Sequence, residues 1–332
     1  MVQGTRPDYD PSMLDQPLTG AATWTAETLG SEDGHLTLSP DARTEIINLA
    51  KTLRVNPLPT LCLSPDDFDL PACRALMAEA EHCLTAGPGF VLIDRLPLDD
   101  INRIDAVSVY WVLANLIARP VAQKWDGTML YEVTDSSGLL PGNSVRPDTT
   151  NAEQVFHTDN AYNVCPPDFV SLLCMRTAKE GGISRIVSLN SAHNLMRERH
   201  PDLLPRLYAP FLWDRVREHG DQDVPTLSNS LFSTNGDELT TRLGNRLIRQ
   251  GYSVAKTDID EEGDAALEAL YDILNDPALF KEFYFEPGQM QIIDNRFIGH
   301  KRTAYEDWSE PNQKRQLVRL WLRDGGKPFY HG

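Results

Sequence analysis

His157 and Asp159 stand two residues apart in the stretch Gln154-Val-Phe-His-Thr-Asp-Asn160, which has the length and apolar content of a short strand. On a strand, positions i and i+2 face the same way, so an imidazole and a carboxylate would project side by side. Two ligands do not complete a metal site. A third candidate, His300, follows the strand-like Met290-Gln-Ile-Ile-Asp294 and is placed in the loop after it. Two histidines and one carboxylate that leave the remaining metal positions open suit non-haem Fe(II) and oxygen chemistry. The same set suits Zn(II) hydrolysis. A His-x-Asp pair by itself also fits a polar strand facing solvent, so the distant residues decide its meaning.

Arg315 and Arg319 are the next of these, in Lys314-Arg-Gln-Leu-Val-Arg-Leu-Trp-Leu322. On a strand they share a face, with Leu320 and Leu322 on the other. Two inward cations are costly unless they are paired. An anionic small molecule would pair them, since a guanidinium matches a carboxylate through a planar two-bond fork. Structural salt bridges to Asp294 or Glu306 are the plainer alternative.

These groups must be held by a fold that the rest of the chain outlines. The 332 residues carry 48 acidic and 31 basic side chains, a net charge of −17, which argues against a nucleic-acid partner. No apolar run approaches the ~20 residues that span a bilayer, and the first residues lack the basic and apolar regions of a signal peptide. The expectation is a cytoplasmic protein with a small-molecule partner, no nucleic acid and no membrane, its oligomeric state left open. Five cysteines form no CxxC pair. Cys73 and Cys83 fall on the apolar side of a helical pattern and are expected as buried, reduced thiols.

Residues 1–35 read as an irregular arm. Ser39-Pro40-Asp41 has the signature of a helix start. A second helix is expected over 71–86, ended by Gly87-Pro88-Gly89, and a third from Leu98 to Ala118. Strands are expected at Phe90–Ile93, Met129–Val133, Phe169–Met175, Ser184–Ser188, Met290–Asp294 and Leu317–Leu322. Residues 134–153 are polar, with Gly138, Pro141, Gly142 and Pro147, and a loop of that length leading into His157 is expected to be an active-site lid. Residues from about 190 to 282 are expected as a helical insert, acidic over 259–282. The fold expected is mostly β with flanking helices, a double-stranded β-helix or jelly roll whose interior holds a small ligand. Residues 1–60 would be an arm and helix packing on a 61–332 core.

Taken together, Phe156-His-Thr-Asp159, Glu180-Gly-Gly-Ile-Ser184 and His300-Lys-Arg-Thr-Ala-Tyr305, with Arg315 and Arg319 downstream, resemble the Fe(II)/2-oxoglutarate-dependent oxygenases. The likeness is to the taurine dioxygenase and γ-butyrobetaine hydroxylase group, which is clavaminate synthase-like, and it covers about residues 85–325. It implies that His157, Asp159 and His300 bind Fe(II). It implies that Arg315 pairs with the distal carboxylate of the cosubstrate 2-oxoglutarate, helped by the hydroxyl of Ser184 where the family often has Thr. Arg319 matches a position that faces either substrate or cosubstrate. Such an enzyme uses O2, releases succinate and CO2, and hydroxylates a small polar metabolite. Related halogenases lack the carboxylate ligand, so Asp159 points to hydroxylation, with desaturation or cyclisation open. Asn160, Arg319 and Tyr131 are the candidates for substrate contact. Arg146, Tyr162 and Asn295 read as packing or surface. Two alternatives stand beside this reading. One is a zinc-type hydrolase on the same three ligands, which leaves Arg315 and Ser184 unexplained. The other is a non-catalytic jelly-roll binding protein.

Overall fold

The computed structural model describes residues 13–136 and 147–332. The first helix starts where its capping residues put it: Ser39 Oγ accepts from Ala42 N at 3.1 Å, and helix α1 runs Pro40–Val55. It is followed by α2 (Pro71–Thr85) and α3 (Arg103–Ala114). The third helix is shorter than the expected Leu98–Ala118. Asn102 caps it, accepting from Asp105 N at 3.0 Å, and Asn115 closes it by donating to Trp111 O at 2.8 Å. Ile101 is therefore buried ahead of the helix, while Ile104 is 76% exposed. The arm before α1 is irregular over its described part and packs down through Trp24, whose indole donates to Pro88 O at 2.8 Å.

Seventeen strands follow the chain order β1 (His35–Thr37), β2 (Phe90–Asp94), β3 (Arg119–Val121), β4 (Tyr131–Val133), β5 (Gln154–His157), β6 (Phe169–Arg176), β7 (Glu180–Gly181) and β8 (Ser184–Ser188), then β9 (Pro210–Asp214), β10 (Thr226–Ser230), β11 (Phe232–Asn235), β12 (Glu238–Thr241), β13 (Phe280–Phe283), β14 (Met290–Asp294), β15 (Ile298–Arg302), β16 (Tyr305–Glu306) and β17 (Gln316–Arg323). The large sheet has the order β1-β2-β14-β6-β17-β3, with β4 beside β17. Every residue of β14 and β17 is buried, because the sheet is covered on both faces. On one face Val91, Ile93, Leu173, Ile292, Leu320 and Leu322 pack with α1–α3. On the other, Phe90, Val170, Ile293 and Trp321 join Ile186 and Ile298 of a four-stranded sheet, β13-β8-β15-β5. The chain is thus mostly sheet with flanking helices.

His300 lies on a strand, not in a loop. Residues Ile298–Arg302 pair with β8 along their whole length and with β5 at His300 and Arg302, which satisfies their backbone groups on both edges. The stretch from about 190 to 282 is less helical than expected. It holds α4 (Leu189–Arg199), α5 (Leu204–Tyr208), α6 (Asn245–Ala255) and α7 (Glu261–Leu274), but also the hairpins β9–β10 and β11–β12. The second hairpin turns at Gly236-Asp237 with φ of 61° at the glycine, a two-residue loop that glycine makes without strain. The acidic helix stops at Leu274, and β13 occupies the rest of the expected 259–282 span.

Most of the lid expected over 134–153 lies outside the described residues, as does Arg146. All five cysteines are unpaired. Cys73 is buried, with its thiol pushed up to about 12 by burial and then by Glu45, and Cys83 is half-buried. No helix among the described residues is long and apolar enough to cross a membrane.

Candidate active site

Strands β5 and β15 set two imidazoles facing. His157 is the register partner of His300, and their ring centroids lie 4.1 Å apart. One step along, Arg302 pairs with Gln154, so two steps on β15 match three on β5. This bulge turns Gln154 to the same side as His157, with its Nε2 at 2.9 Å from His157 Nε2.

Asp159 reaches the pair by a different route from strand alternation. Strand β5 ends at His157, and the chain turns through Asn160, whose φ is 57°. Asparagine tolerates that left-handed conformation better than most residues. Asn295 fixes the turn from both sides, accepting from Asp159 N at 2.7 Å and donating to Asp159 O at 3.0 Å. The segments after β8 brace it further. Thr158 Oγ1 accepts from Leu243 N at 3.0 Å, and the Tyr271 hydroxyl of α7 donates to Phe156 O at 2.9 Å.

The two carboxylate oxygens of Asp159 have separate tasks. Oδ1 lies 3.4 Å from His157 Nε2 and 3.6 Å from His300 Nε2. Oδ2 accepts from the Trp321 indole at 2.7 Å and lies 3.1 Å from Arg319 Nη1. His157 Nδ1 donates to Val155 O at 2.9 Å, which leaves the lone pair on Nε2. One ligand atom from each residue lies within 4.8 Å of the others, and no other such group occurs among the described residues. Two ligands each ~2.1 Å from one ion sit about 3 Å apart at right angles, so the donor set fits a first-row divalent metal with little movement. The protonation states fit as well. Burial works against charge on Asp159, but Arg319, followed by hydrogen bonds from His157 and His300, holds its carboxyl well below the usual range. His300 is lowered to about 4 by burial and by neighbouring His157, against the pull of Asp159. Both shifts favour the deprotonated forms that bind metal.

The two arginines are differently placed. Arg319, inside β17, donates from Nε to Gln123 Oε1 at 2.8 Å, and its Nη2 lies 3.5 Å from Asp148 Oδ2. Its guanidinium carbon is 4.8 Å from the centroid of the Tyr131 ring. Arg315 lies just ahead of β17; its backbone N–H donates to Asp307 Oδ1 at 2.7 Å, and its guanidinium carbon stands 5.2 Å from the Tyr305 ring centroid. Neither expected salt bridge exists, because Asp294 is held by Arg296 at 2.5 Å and Glu306 by Lys179. Ser184 opens β8 after a turn in which Gly181 and Gly182 have φ of 75° and 69°. A Cβ at Gly181 would collide with the backbone oxygen of Ala304.

One cavity gathers His157, Ser184, His300, Arg315 and Arg319, together with Gln154, Asp148 and Arg302. Tyr131 and Asn160 do not line it: Tyr131 backs Arg319, and Asn160 Oδ1 accepts from the Tyr330 hydroxyl at 3.2 Å. A larger groove of about 400 Å³, lined by Arg185, Phe280, Lys281 and Glu282 among others, contains no histidine. Gln154, Trp321 and Arg302 are absent from the sequence reading. Trp321 carried a signal, since it stands two strand positions from Arg319; Gln154 carried none, because only the bulge turns it inward.

A family model described as "Taurine catabolism dioxygenase TauD, TfdA family" matches residues 54–321. FR-33289 synthase of Streptomyces rubellomurinus is 25% identical over 323 residues, covering 96% of this chain and 94% of its own length. The taurine hydroxylase-like protein SAT17 of Stachybotrys chartarum is 22% identical over 318 residues, covering 92% of this chain and 80% of its own. Among solved structures, asparagine oxygenase in complex with Fe(II), 3-hydroxyasparagine and succinate is similar with a TM-score of 0.66 at 19% identity, over 88% of this chain and 94% of that one. The non-haem iron oxygenase OrfP, in complex with Fe and α-ketoglutaric acid, gives a TM-score of 0.64 at 14% identity over the same shares.

Proposed function

The chain belongs to the taurine catabolism dioxygenase TauD, TfdA family and is an Fe(II)- and 2-oxoglutarate-dependent oxygenase of a small molecule, and we propose that His157, Asp159 and His300 hold its iron. The observation that carries this assignment is the division of labour in Asp159: Oδ1 faces both Nε2 atoms while Oδ2 is tied to Trp321 and Arg319. Held this way, the carboxylate offers the metal one oxygen and leaves the other coordination positions open. Iron, 2-oxoglutarate and O2 together supply an oxidant able to take hydrogen from an unactivated C–H bond, with succinate and CO2 released.

The remaining roles belong to side chains. Arg315 and Ser184 grip the distal carboxylate of 2-oxoglutarate, a role supported by their burial in one cavity with the histidines. Arg319 positions Asp159 and presents a charge opposed to that of Asp148 at the cavity wall. The substrate is a small polar molecule built like an amino acid. Two facts support that class: the similar solved structures carry hydroxyasparagine and hydroxyarginine, and the cavity wall sets a cation beside an anion, as a zwitterion requires. Hydroxylation is the reaction that a retained carboxylate ligand favours. The double-stranded β-helix is the fold this reading assigns to the two sheets, with 61–332 as the oxygenase unit and α1 packed onto it. A cytosolic location agrees with five unpaired cysteines. Family membership sets aside the zinc hydrolase and the non-catalytic binding module.

The test is succinate release under air, with Fe(II) and 2-oxoglutarate, against a panel of amino acids and other small polar acids. Stimulation by an amino-acid-like compound is expected. Stimulation only by compounds lacking an ammonium group overturns the substrate class and leaves the iron site standing.

A further inference from the structure

Strand β15 turns a second side chain toward the cavity. Arg302 lies two positions beyond His300 and so shares its face, and its register partner on β8 is Ser184. It lines the cavity with Ser184 and Arg315 and is 7% exposed. Its guanidinium carbon stands 4.7 Å from the centroid of the Tyr305 ring that Arg315 also faces at 5.2 Å. Two guanidiniums therefore flank one ring. Arg302 Nη2 donates to Ala152 O, but Arg302 Nε and Arg315 Nη1 are buried without a hydrogen-bond partner. Among the described residues no carboxylate forms a salt bridge with either arginine. Neighbouring buried cations in this condition are costly unless a ligand brings the opposite charge.

The position of the pair fits one end of the cosubstrate. Two strand residues advance the chain ~7 Å, so Arg302 stands about the length of a five-carbon diacid from the histidine face. We propose that Arg302 is a second grip on the distal carboxylate of 2-oxoglutarate, closing on it from the strand opposite Ser184 while Arg315 closes from the entrance of β17. This rests on the cosubstrate placement proposed above. It also makes Arg302 a determinant of cosubstrate choice, since a 2-oxo acid without a distal carboxylate gains nothing from it.

The test is binding rather than turnover. Fe(II)-loaded wild-type, Arg302→Gln, Arg302→Lys and Arg315→Ala proteins are titrated anaerobically with 2-oxoglutarate and with 2-oxobutyrate, which lacks the distal carboxylate. Thermal shift and calorimetry report affinity. Arg302→Gln is expected to weaken 2-oxoglutarate tenfold or more, with 2-oxobutyrate and Fe(II) binding unchanged, and Arg302→Lys to recover part of the loss. If the Gln variant does not fold, the Lys variant decides: it should still bind 2-oxoglutarate more weakly than wild type, with 2-oxobutyrate unaffected. Unchanged 2-oxoglutarate affinity in an Arg302 variant, or equal weakening of both acids, overturns the proposal. Arg315→Ala separates the levels: if it too leaves 2-oxoglutarate affinity intact, the cosubstrate placement itself has failed, whereas a loss there alone removes only Arg302.

Discussion

Around Asp159, the chain itself supplies every partner its carboxylate needs: two imidazoles on one oxygen, and an indole and a guanidinium on the other. Around Arg302 and Arg315, a short way along the same cavity, two guanidiniums share a tyrosine ring, and no described carboxylate forms a salt bridge with either. The first end is assembled by folding alone. The second is left electrostatically incomplete, so binding an anion there should stabilise the fold as well as position the ligand. The contrast predicts opposite stability responses to mutation in the metal-free protein.

The largest effect is expected for Asp159→Ala. Fe(II) binding and Fe(II)-dependent succinate release should be lost, and the metal-free protein should be destabilised by about 3–5 kcal/mol, because Arg319 is left buried without its anion. Metal titration and denaturant unfolding read the two parts. Wild-type turnover in this variant would remove Asp159 from the metal end.

Arg315→Ala comes next and should behave in the reverse sense. The 2-oxoglutarate constant should rise by ~2–5 kcal/mol, roughly 30-fold to several thousand-fold. The metal-free protein should unfold no earlier than wild type, since a buried like charge has been removed. Lysine at 315 restores only part of the affinity, because an ammonium lacks the planar fork. Earlier unfolding of the metal-free Arg315→Ala protein would break the comparison.

Trp321→Phe sharpens it. The aromatic bulk stays, but the donor that ties down Asp159 Oδ2 is lost, and Fe(II) affinity should fall ~10- to 100-fold with the 2-oxoglutarate constant nearly unchanged. Equal loss of both affinities would point to repacking of the cavity as a whole.

The smallest effect lies outside both ends. Asp260 caps α7 through Gly263 N at 2.7 Å and pairs with Arg206, and that bond to Arg206 is the main reason its carboxyl is lowered to about 2. A carboxyl lowered on folding contributes stability above its unfolded value near 4 and loses it as the pH falls toward 2. Because Asp260 is half exposed, the contribution is no more than ~1 kcal/mol. Acid unfolding curves of wild type and Asp260→Asn should converge by pH 2. A gap that persists there would mean that the cap does not titrate as stated.

What could be read from the sequence was mainly residue chemistry in order along the chain. His157, His300, Arg315 and Arg319 announce themselves by type, and the large-sheet strands by apolar runs such as Phe90–Ile93. Strand alternation put Asp159 beside His157, but in the structure a left-handed turn at Asn160 and the side chain of Asn295 do this. Neither is visible in a two-residue spacing. Gln154 was hidden because a bulge is decided by the strand opposite. Arg302 was missed because His300 was placed in a loop, where an i+2 neighbour has no defined direction. The two hairpins within 190–282 were obscured by polar residues, although Asn235-Gly236 is a recognisable turn signal.

In the large sheet, β14 lies between β2 and β6, and β17 between β6 and β3. A ribosome making ~5–20 residues per second needs about 10–40 s to travel from β2 to β14. Throughout that interval Phe90–Asp94 and Phe169–Arg176 exist without the strand that belongs between them. Both carry apolar side chains and unpaired backbone edges, the combination that seeks strands on other chains. A chain released before Met290 therefore loses more than His300 and the arginines: its nascent sheet stays split, and its foreseeable fate is aggregation or proteolysis before any cofactor could matter.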